Sequence, residues 1–297
     1  MRHWLHAFRL RTLPLAASSI ITGSALAAFH GAFRWPVFLL ALLTAVLLQV
    51  LSNLANDLGD HQHGTDNSDR IGPQRAVQSG AITPARMERA MIVCGVLAFL
   101  SGCMLITVAL GFTLKTLAFL LIGLLAMGAA VKYTFGRKPY GYAGLGDLSV
   151  FLFFGIVGVG GTHFLHTTTL PALVLLPASG IGLLATGVLH LNNMRDAMND
   201  AASGKRTLAV RLGPARAKVY HALLVLGGFA CLVLFTALRF RSWWQYLFLL
   251  LFLVLDKHLR AVLRNKEPRE LDPQLKVLSL STLVTALLFS LGIIIAG

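Results

Sequence analysis

The sequence predicts an all-α, polytopic membrane protein with nine transmembrane helices, and three observations carry that prediction. The 297 residues are 56% hydrophobic and only 13% charged, with a mean hydropathy of +0.72, whereas soluble domains are about 45–50% apolar and about 25% charged. The apolar residues gather in runs close to the roughly 20 that cross a bilayer as helix. The Lys and Arg residues behind the formal charge of +14 fall in the connections between those runs. The charge therefore reports topology, not a nucleic-acid partner.

The spans are expected at 13–31, 36–56, 88–110, 115–134, 148–165, 171–192, 218–238, 243–257 and 277–296. The first follows Arg2, Arg9 and Arg11, an order that a signal peptide shares. Equivalent runs continue along the chain, so a retained helix is expected. Thr83-Pro84 supplies an N-cap and a first-turn proline ahead of the third span. The eighth is the shortest, with Trp243, Trp244 and Tyr246 as an interfacial anchor. An odd number of spans puts the termini on opposite sides. Of the 26 basic residues, 22 lie on the side of the N-terminus, leaving Arg34, Lys115, Arg239 and Arg241 on the other. The positive-inside rule places the N-terminus in the cytoplasm and the C-terminus opposite. All 12 acidic residues also lie on or near the cytoplasmic face. Cys94, Cys103 and Cys231 sit inside apolar segments without metal or disulfide spacing and are expected to pack as small hydrophobes. The chain reads as one domain over 1–297, with polar loops near 57–87 and 196–217.

Two carboxylate clusters end even-numbered spans on the acidic side. The first runs from Asn53 to Asp66; Asn53, Asp57 and Asp60 are four and three residues apart and share a helix face, widened by Asn56. The second runs from His190 to Gly213, with Asn192, Asp196 and Asp200 recurring every four residues. Asn53-x-x-x-Asp57 and Asn192-x-x-x-Asp196 match at a distance of 139 residues, a faint parallel repeat. Polar faces of this kind are costly in hydrocarbon and should turn to a protein cavity. Carboxylates aimed into one cavity repel unless cations intervene. Hard oxygen ligands without a Cys/His set favour Mg²⁺, with Mn²⁺ as the alternative, and Mg²⁺ commonly joins protein carboxylates to substrate phosphates. Lys205 and Arg206 follow the second cluster and add positive charge for a diphosphate. The plainer alternative is two polar helix ends whose acids pair with neighbouring Arg and Lys, which suits isolated Asp66, Asp69 or Glu88 better than two matched faces.

These residues resemble the intramembrane aromatic prenyltransferase superfamily, and most of all its 1,4-dihydroxy-2-naphthoate polyprenyltransferase branch. The match runs Asn53-x-x-Asn56-Asp57-x-x-Asp60-x-x-x-Gly64-x-Asp66 and Asn192-Asn193-x-Arg195-Asp196-x-x-x-Asp200-x-x-x-Gly204-Lys205-x-Thr207-Leu208, with a central Tyr133–Asp147 signature. Gly64 stands where the broader pattern has its third acid, and Asp66 follows two residues later. The resemblance implies a bundle around a central cavity in a bacterial cytoplasmic membrane. It implies transfer of a polyprenyl group from polyprenyl diphosphate to 1,4-dihydroxy-2-naphthoate, releasing diphosphate and carbon dioxide. Asp57, Asp60, Asp196 and Asp200, with Asp66 as a further candidate, are then the expected metal ligands; Asn53 and Asn192 orient them or coordinate through side-chain oxygen, and Asn53, Asn56 and Asn192 are candidate diphosphate contacts. Tyr133, Arg137 and Lys138 contact diphosphate or shape the reacting end. Arg195 binds phosphate, positions Asp196 or recognises the acceptor carboxylate. Asp147 caps the fifth span or touches substrate. Two other functions stay open: prenylation of 4-hydroxybenzoate or another acceptor, and ion-coupled transport along the acids.

Overall fold

A computed structural model describes residues 2–67 and 71–297, and every described element is helical. Asp69 lies outside the described residues. After a short helix, Arg2–Phe8, the spans are α1 (Leu13–Phe29), α2 (Trp35–Gln62), α3 (Pro84–Leu110), α4 (Leu114–Lys132), α5 (Gly146–Thr167), α6 (Leu175–Arg195), α7 (Leu208–Leu238), α8 (Trp243–Leu251 continued by Phe252–Arg264) and α9 (Leu271–Ala296). Among the described residues, eight helices are long and apolar enough to cross a membrane; α8 does not meet that standard. Its first nine residues form a 3₁₀-helix, which rises about 2.0 Å per residue. Residues 243–257 therefore cover roughly 27 Å, against roughly 22 Å as α-helix at about 1.5 Å per residue. That closes most of the gap to a hydrocarbon core of about 30 Å. Gly297 lies beside Phe29 and Arg241, so the two chain ends sit at opposite ends of the bundle.

Helix ends follow their local chemistry. Thr83 Oγ1 accepts from the Arg86 N–H and Pro84 occupies the first turn of α3. α7 is broken inside by Gly213, at φ 73 and ψ 167, with Pro214 after it. α2 runs six residues past its expected end at 56 and carries Asp57 and Asp60 within regular helix.

Between Phe151 and Gly161, α5 is wound as a π-helix, a form concentrated at functional sites. It lies against α6, where a Cβ on Gly155 would stand 2.7 Å from the Ala178 carbonyl oxygen and 2.9 Å from Gly182 Cα. Such approaches between helices are how membrane bundles gain packing where lipid gives no hydrophobic drive.

The helices close into a ring around an interior cavity. α1 packs on α2, α5 and α9, α2 on α3, α3 on α4, α5 on α6, and α6 on α7 and α9. α4 and α5 are the exception, because they do not pack along their lengths. At one end the Phe119 and Phe164 rings stack at 5.1 Å, with Lys115 Nζ 5.4 Å from the Phe164 centroid. At the other, the Tyr140 hydroxyl donates to the Ala129 carbonyl at 2.9 Å and lies 2.9 Å from Ser149 Oγ. Between them α4 turns Ile122, Gly123, Ala126 and Ala130 to the cavity, and no residue of α4 is buried.

Gly59 on α2 sets how closely the end of α4 approaches the first acidic cluster. A Cβ there would meet the Thr134 carbonyl oxygen at 2.5 Å. Gly59→Ala is expected to cost about 1–3 kcal/mol through overpacking, read as a lower thermal midpoint in detergent. Gly123→Ala, whose Cβ meets nothing within 4 Å, should leave the midpoint in place.

Candidate active site

The cavity has a volume of about 360 Å³, with a polar mouth and an apolar body. Ile20, Leu105, Ile106, Phe153, Val157 and Leu165 line the body; Arg9, Arg11, Asn53, Asn56, Asp60, Arg75, Asn192, Asp196 and Lys205 line the mouth. Both acidic clusters therefore reach one chamber, from the ends of α2 and α6.

Lys205 joins them. Its ammonium is buried, 3.6 Å from Asp60 Oδ1 and 3.6 Å from Asp200 Oδ1, and 5.3 Å from the centroid of the Tyr142 ring. Burial acts to lower its pKa, but Asp60 and Asp200 outweigh that and raise it. Tyr142 donates to Asp60 Oδ1 at 3.0 Å and has Thr65 Oγ1 at 2.6 Å. Its hydroxyl is held protonated by burial and by the Asp60 charge. Asp200 is pushed up to about 6, chiefly by burial and then by Asp196 and Asp60, against the pull of Lys205. Its Oδ2 is buried without a hydrogen-bond partner.

Helical geometry sorts the first cluster. At about 100° per residue, Asp60 returns to within about 20° of Asn53 and lies between Asn53 and Asn56, while Asp57 falls about 60° away from it. Asp57 consequently leaves the cavity face and accepts the backbone N–H groups of Ala76 and Val77, at 3.2 and 3.1 Å. It holds the 71–82 loop, which carries Arg75, over the mouth. Asp66 is buried 3.6 Å from Arg75 Nε and does not line the cavity. Asn53 donates to the Phe8 carbonyl and Thr12 Oγ1. Asn56 accepts from Thr134 Oγ1 at 2.8 Å.

The second cluster is not one continuous helix face. α6 ends at Arg195, and a short helix, Ala197–Ala202, follows on a new axis. Arg195 is buried and donates Nε and Nη2 to the two oxygens of Asp196, at 2.8 and 2.7 Å, and Nη2 also to Asn192 Oδ1 at 3.0 Å. Its Nη1 reaches Asp272 on α9. All of its polar nitrogens are committed to protein, so among its three expected roles the geometry fits positioning Asp196.

Tyr133 lines the cavity, its ring packed on Gly141 and Gly146. Arg137, Lys138 and Arg206 are exposed and do not line it. Arg137 and Lys138 follow α4 in a short connection, and the Arg206 N–H is held by the Tyr142 carbonyl at 3.1 Å, which turns its side chain outward. Asp147 neither caps α5 nor reaches the cavity; its Oδ2 stands 3.0 Å from His190 Nδ1, both buried. Arg9, Arg11 and Arg75, which the sequence marks only as basic residues among others, line the mouth. Tyr142 lay inside the Tyr133–Asp147 signature without a role.

Asp60, Asp196 and Asp200 carry hard oxygen donors; Asp60 and Asp196 line the cavity, whereas Asp200 does not line it and keeps one buried carboxylate oxygen without a hydrogen-bond partner. Among the described residues, no three acidic, His or Cys side chains gather closely enough to hold an ion by themselves. That fits Mg²⁺, which takes one or two protein carboxylates and completes its octahedron with phosphate oxygens and water.

Residues 16–283 match the UbiA prenyltransferase family. The chain belongs to that family. A family relative from Escherichia coli (strain K12), named 1,4-dihydroxy-2-naphthoate octaprenyltransferase, is 48% identical over 293 residues, covering 99% of this chain and 95% of that protein. The apo structure of a UbiA homolog from Aeropyrum pernix K1 superposes with a TM-score of 0.71 at 14% identity, covering 97% of this chain and 98% of that one. A UbiA homolog from Archaeoglobus fulgidus bound to DMAPP and Mg²⁺ gives 0.57 at 16% identity, over 97% of this chain and 99% of that one. Family membership makes the chain a membrane-embedded prenyltransferase, and ion-coupled transport falls away.

Asp200 gives this UbiA-family chain a pH signature. Its pKa is raised from 3.8 to about 6, so folding favours the protonated form. The stability it contributes is present below about pH 4 and is lost as pH rises through about 6. In metal-free buffer, the thermal midpoint of Asp200→Asn should fall less between about pH 4 and about pH 7 than that of the unaltered protein. Equal slopes would contradict this.

Proposed function

We propose that this chain transfers a polyprenyl group from polyprenyl diphosphate to 1,4-dihydroxy-2-naphthoate, releasing diphosphate and carbon dioxide and giving the hydroquinone form of a demethylmenaquinone. The observation that carries the reaction class is the meeting of two acidic helix ends and buried Lys205 at the mouth of an apolar cavity. The acceptor rests on the full-length likeness to the E. coli relative of that name and on the two motifs. The proposed setting is a bacterial cytoplasmic membrane, with the N-terminus and the cavity mouth facing the cytoplasm and the C-terminus opposite.

Asp60 and Asp196 at the mouth, with Asp200 set beside Lys205, would supply carboxylates to Mg²⁺, or Mn²⁺ in its place, no single ion taking all three; the metal when bound neutralises charge on the leaving diphosphate. Lys205, Arg75 and the Arg9–Arg11 pair give the same mouth positive charge for anionic groups of the two substrates. Asn53, Asn56 and Asn192 line it with amide groups. Asp57 acts through the 71–82 loop, and Asp66 through Arg75. The apolar body receives the isoprenoid, at roughly 0.8 kcal/mol per buried CH₂. It also keeps water from the allylic centre as the C–O bond breaks and its electron pair leaves with diphosphate. The acceptor carbon then bonds to that centre, and loss of its carboxylate as carbon dioxide restores the aromatic ring. Tyr133 packs beside this reacting end.

The unpacked seam between α4 and α5 is the proposed way for an isoprenoid longer than the cavity to reach lipid. Gly123→Phe should lower kcat/KM for a long polyprenyl diphosphate by about 10-fold or more while sparing a C₁₀ substrate. An equal loss for both would count against the seam.

Product mass analysis with one polyprenyl diphosphate and two acceptors tests the function itself. Decarboxylating transfer to dihydroxynaphthoate is expected, and preference for 4-hydroxybenzoate would replace it. EDTA should stop turnover. Asp60→Asn and Asp196→Asn, each still folded, should each lower kcat by about 10²-fold or more; normal turnover in both would remove the diphosphate site from this mouth.

A further inference from the structure

Asp272, at the start of α9, belongs to neither acidic motif and does not line the central cavity. Its Oδ1 accepts from Arg195 Nη1 and lies 3.9 Å from Arg11 Nη1. Arg195 in turn binds both oxygens of Asp196. A continuous chain of alternating charge thus runs from Arg11, which lines the mouth, through Asp272 and Arg195 to Asp196, which lines it again. α9 also grips the N-terminal segment directly, because Ser279 Oγ donates to the Arg11 carbonyl at 2.8 Å.

We infer that Asp272 is a positioning residue for the second acidic motif. It shares the Arg195 guanidinium with Asp196, which fixes the plane of that carboxylate and leaves it part of its negative charge to offer the cavity. Without Asp272, one buried guanidinium compensates Asp196 alone, and the pair turns nearly neutral toward an incoming cation. Charges behind a metal ligand tune it in this way, and their loss typically costs about 10–100-fold in metal affinity. The inference rests on the proposed role of Asp196 at a metal–diphosphate site.

The test uses the full chain in detergent, with Mg²⁺ and inorganic pyrophosphate as the probe. The Mg²⁺ concentration that half-activates prenyl transfer is measured beside the Mg²⁺ concentration that half-protects against thermal unfolding in the presence of pyrophosphate. Asp272→Asn should raise both midpoints about 10-fold or more, and Asp272→Glu should restore most of the shift. Arg195→Lys, which keeps the charge but cannot serve both carboxylates, should raise them as well. A folded Asp272→Asn protein with both midpoints unchanged overturns the inference, as does an unshifted Arg195→Lys if Asp272→Asn fails to fold. Asp196→Asn in the same assay separates the two levels. If it abolishes protection while Asp272→Asn does not shift it, only the positioning role fails. If Asp196→Asn leaves protection intact, the metal–diphosphate site fails and this inference with it.

Discussion

A lysine ammonium buried between two aspartates is the constraint on which the rest of the mouth depends. Charges at the end of a membrane bundle are tolerated only when paired and turned to a protein interior. Lys205 meets that condition by standing 3.6 Å from Asp60 on α2 and 3.6 Å from Asp200 in the short helix after α6. Removing either acid would leave the buried ammonium with a single carboxylate partner, so the pairing favours keeping the two motif ends together. Tyr142 adds a neutral contact, donating to Asp60 while its own carbonyl holds Arg206 N–H. The central connection between α4 and α5 thus becomes a strap across both motifs.

Behind this polar mouth the bundle is built for close helix approach. Gly155 against Gly182, and Gly59 against Thr134, are contacts that a β-carbon would prevent, and they surround a cavity with apolar walls. The ring is tight where α1, α5, α6 and α9 meet and loose where α4 faces α5. A chamber with a charged mouth, an apolar body and one unpacked seam suits a substrate that is anionic at one end and lipid-like along the rest.

Much of this was legible in the sequence, because the signals were long or periodic. Eight of the nine spans stand out by apolar length, and the eighth reads as weak because its 3₁₀ winding stretches too few residues over the membrane. Asp60, Asp196, Lys205 and Tyr133 were recognisable from spacing and family resemblance. The four-residue spacing from Asn53 suggests the cavity face for Asp57, but its angle puts it on the flank that meets Ala76 and Val77. Asp200 was placed on a continuous helix that ends at Arg195. Arg137, Lys138 and Arg206 carried the right charge for diphosphate, but nothing in a linear pattern says which way a connection turns its side chains. Arg9, Arg11 and Asp272 were hidden for the opposite reason, since their partners lie far along the chain and a basic N-terminus already had a topological explanation.

The central claim is that one metal–diphosphate site needs both motifs at once. Electron paramagnetic resonance of Mn²⁺ titrated with inorganic pyrophosphate addresses it directly, in proteins carrying Asp60→Asn or Asp196→Asn alone. The account predicts that either substitution, though the two belong to different motifs, removes the pyrophosphate-dependent Mn²⁺ signal. Retention of the full Mn²⁺ stoichiometry with one motif neutralised would contradict it.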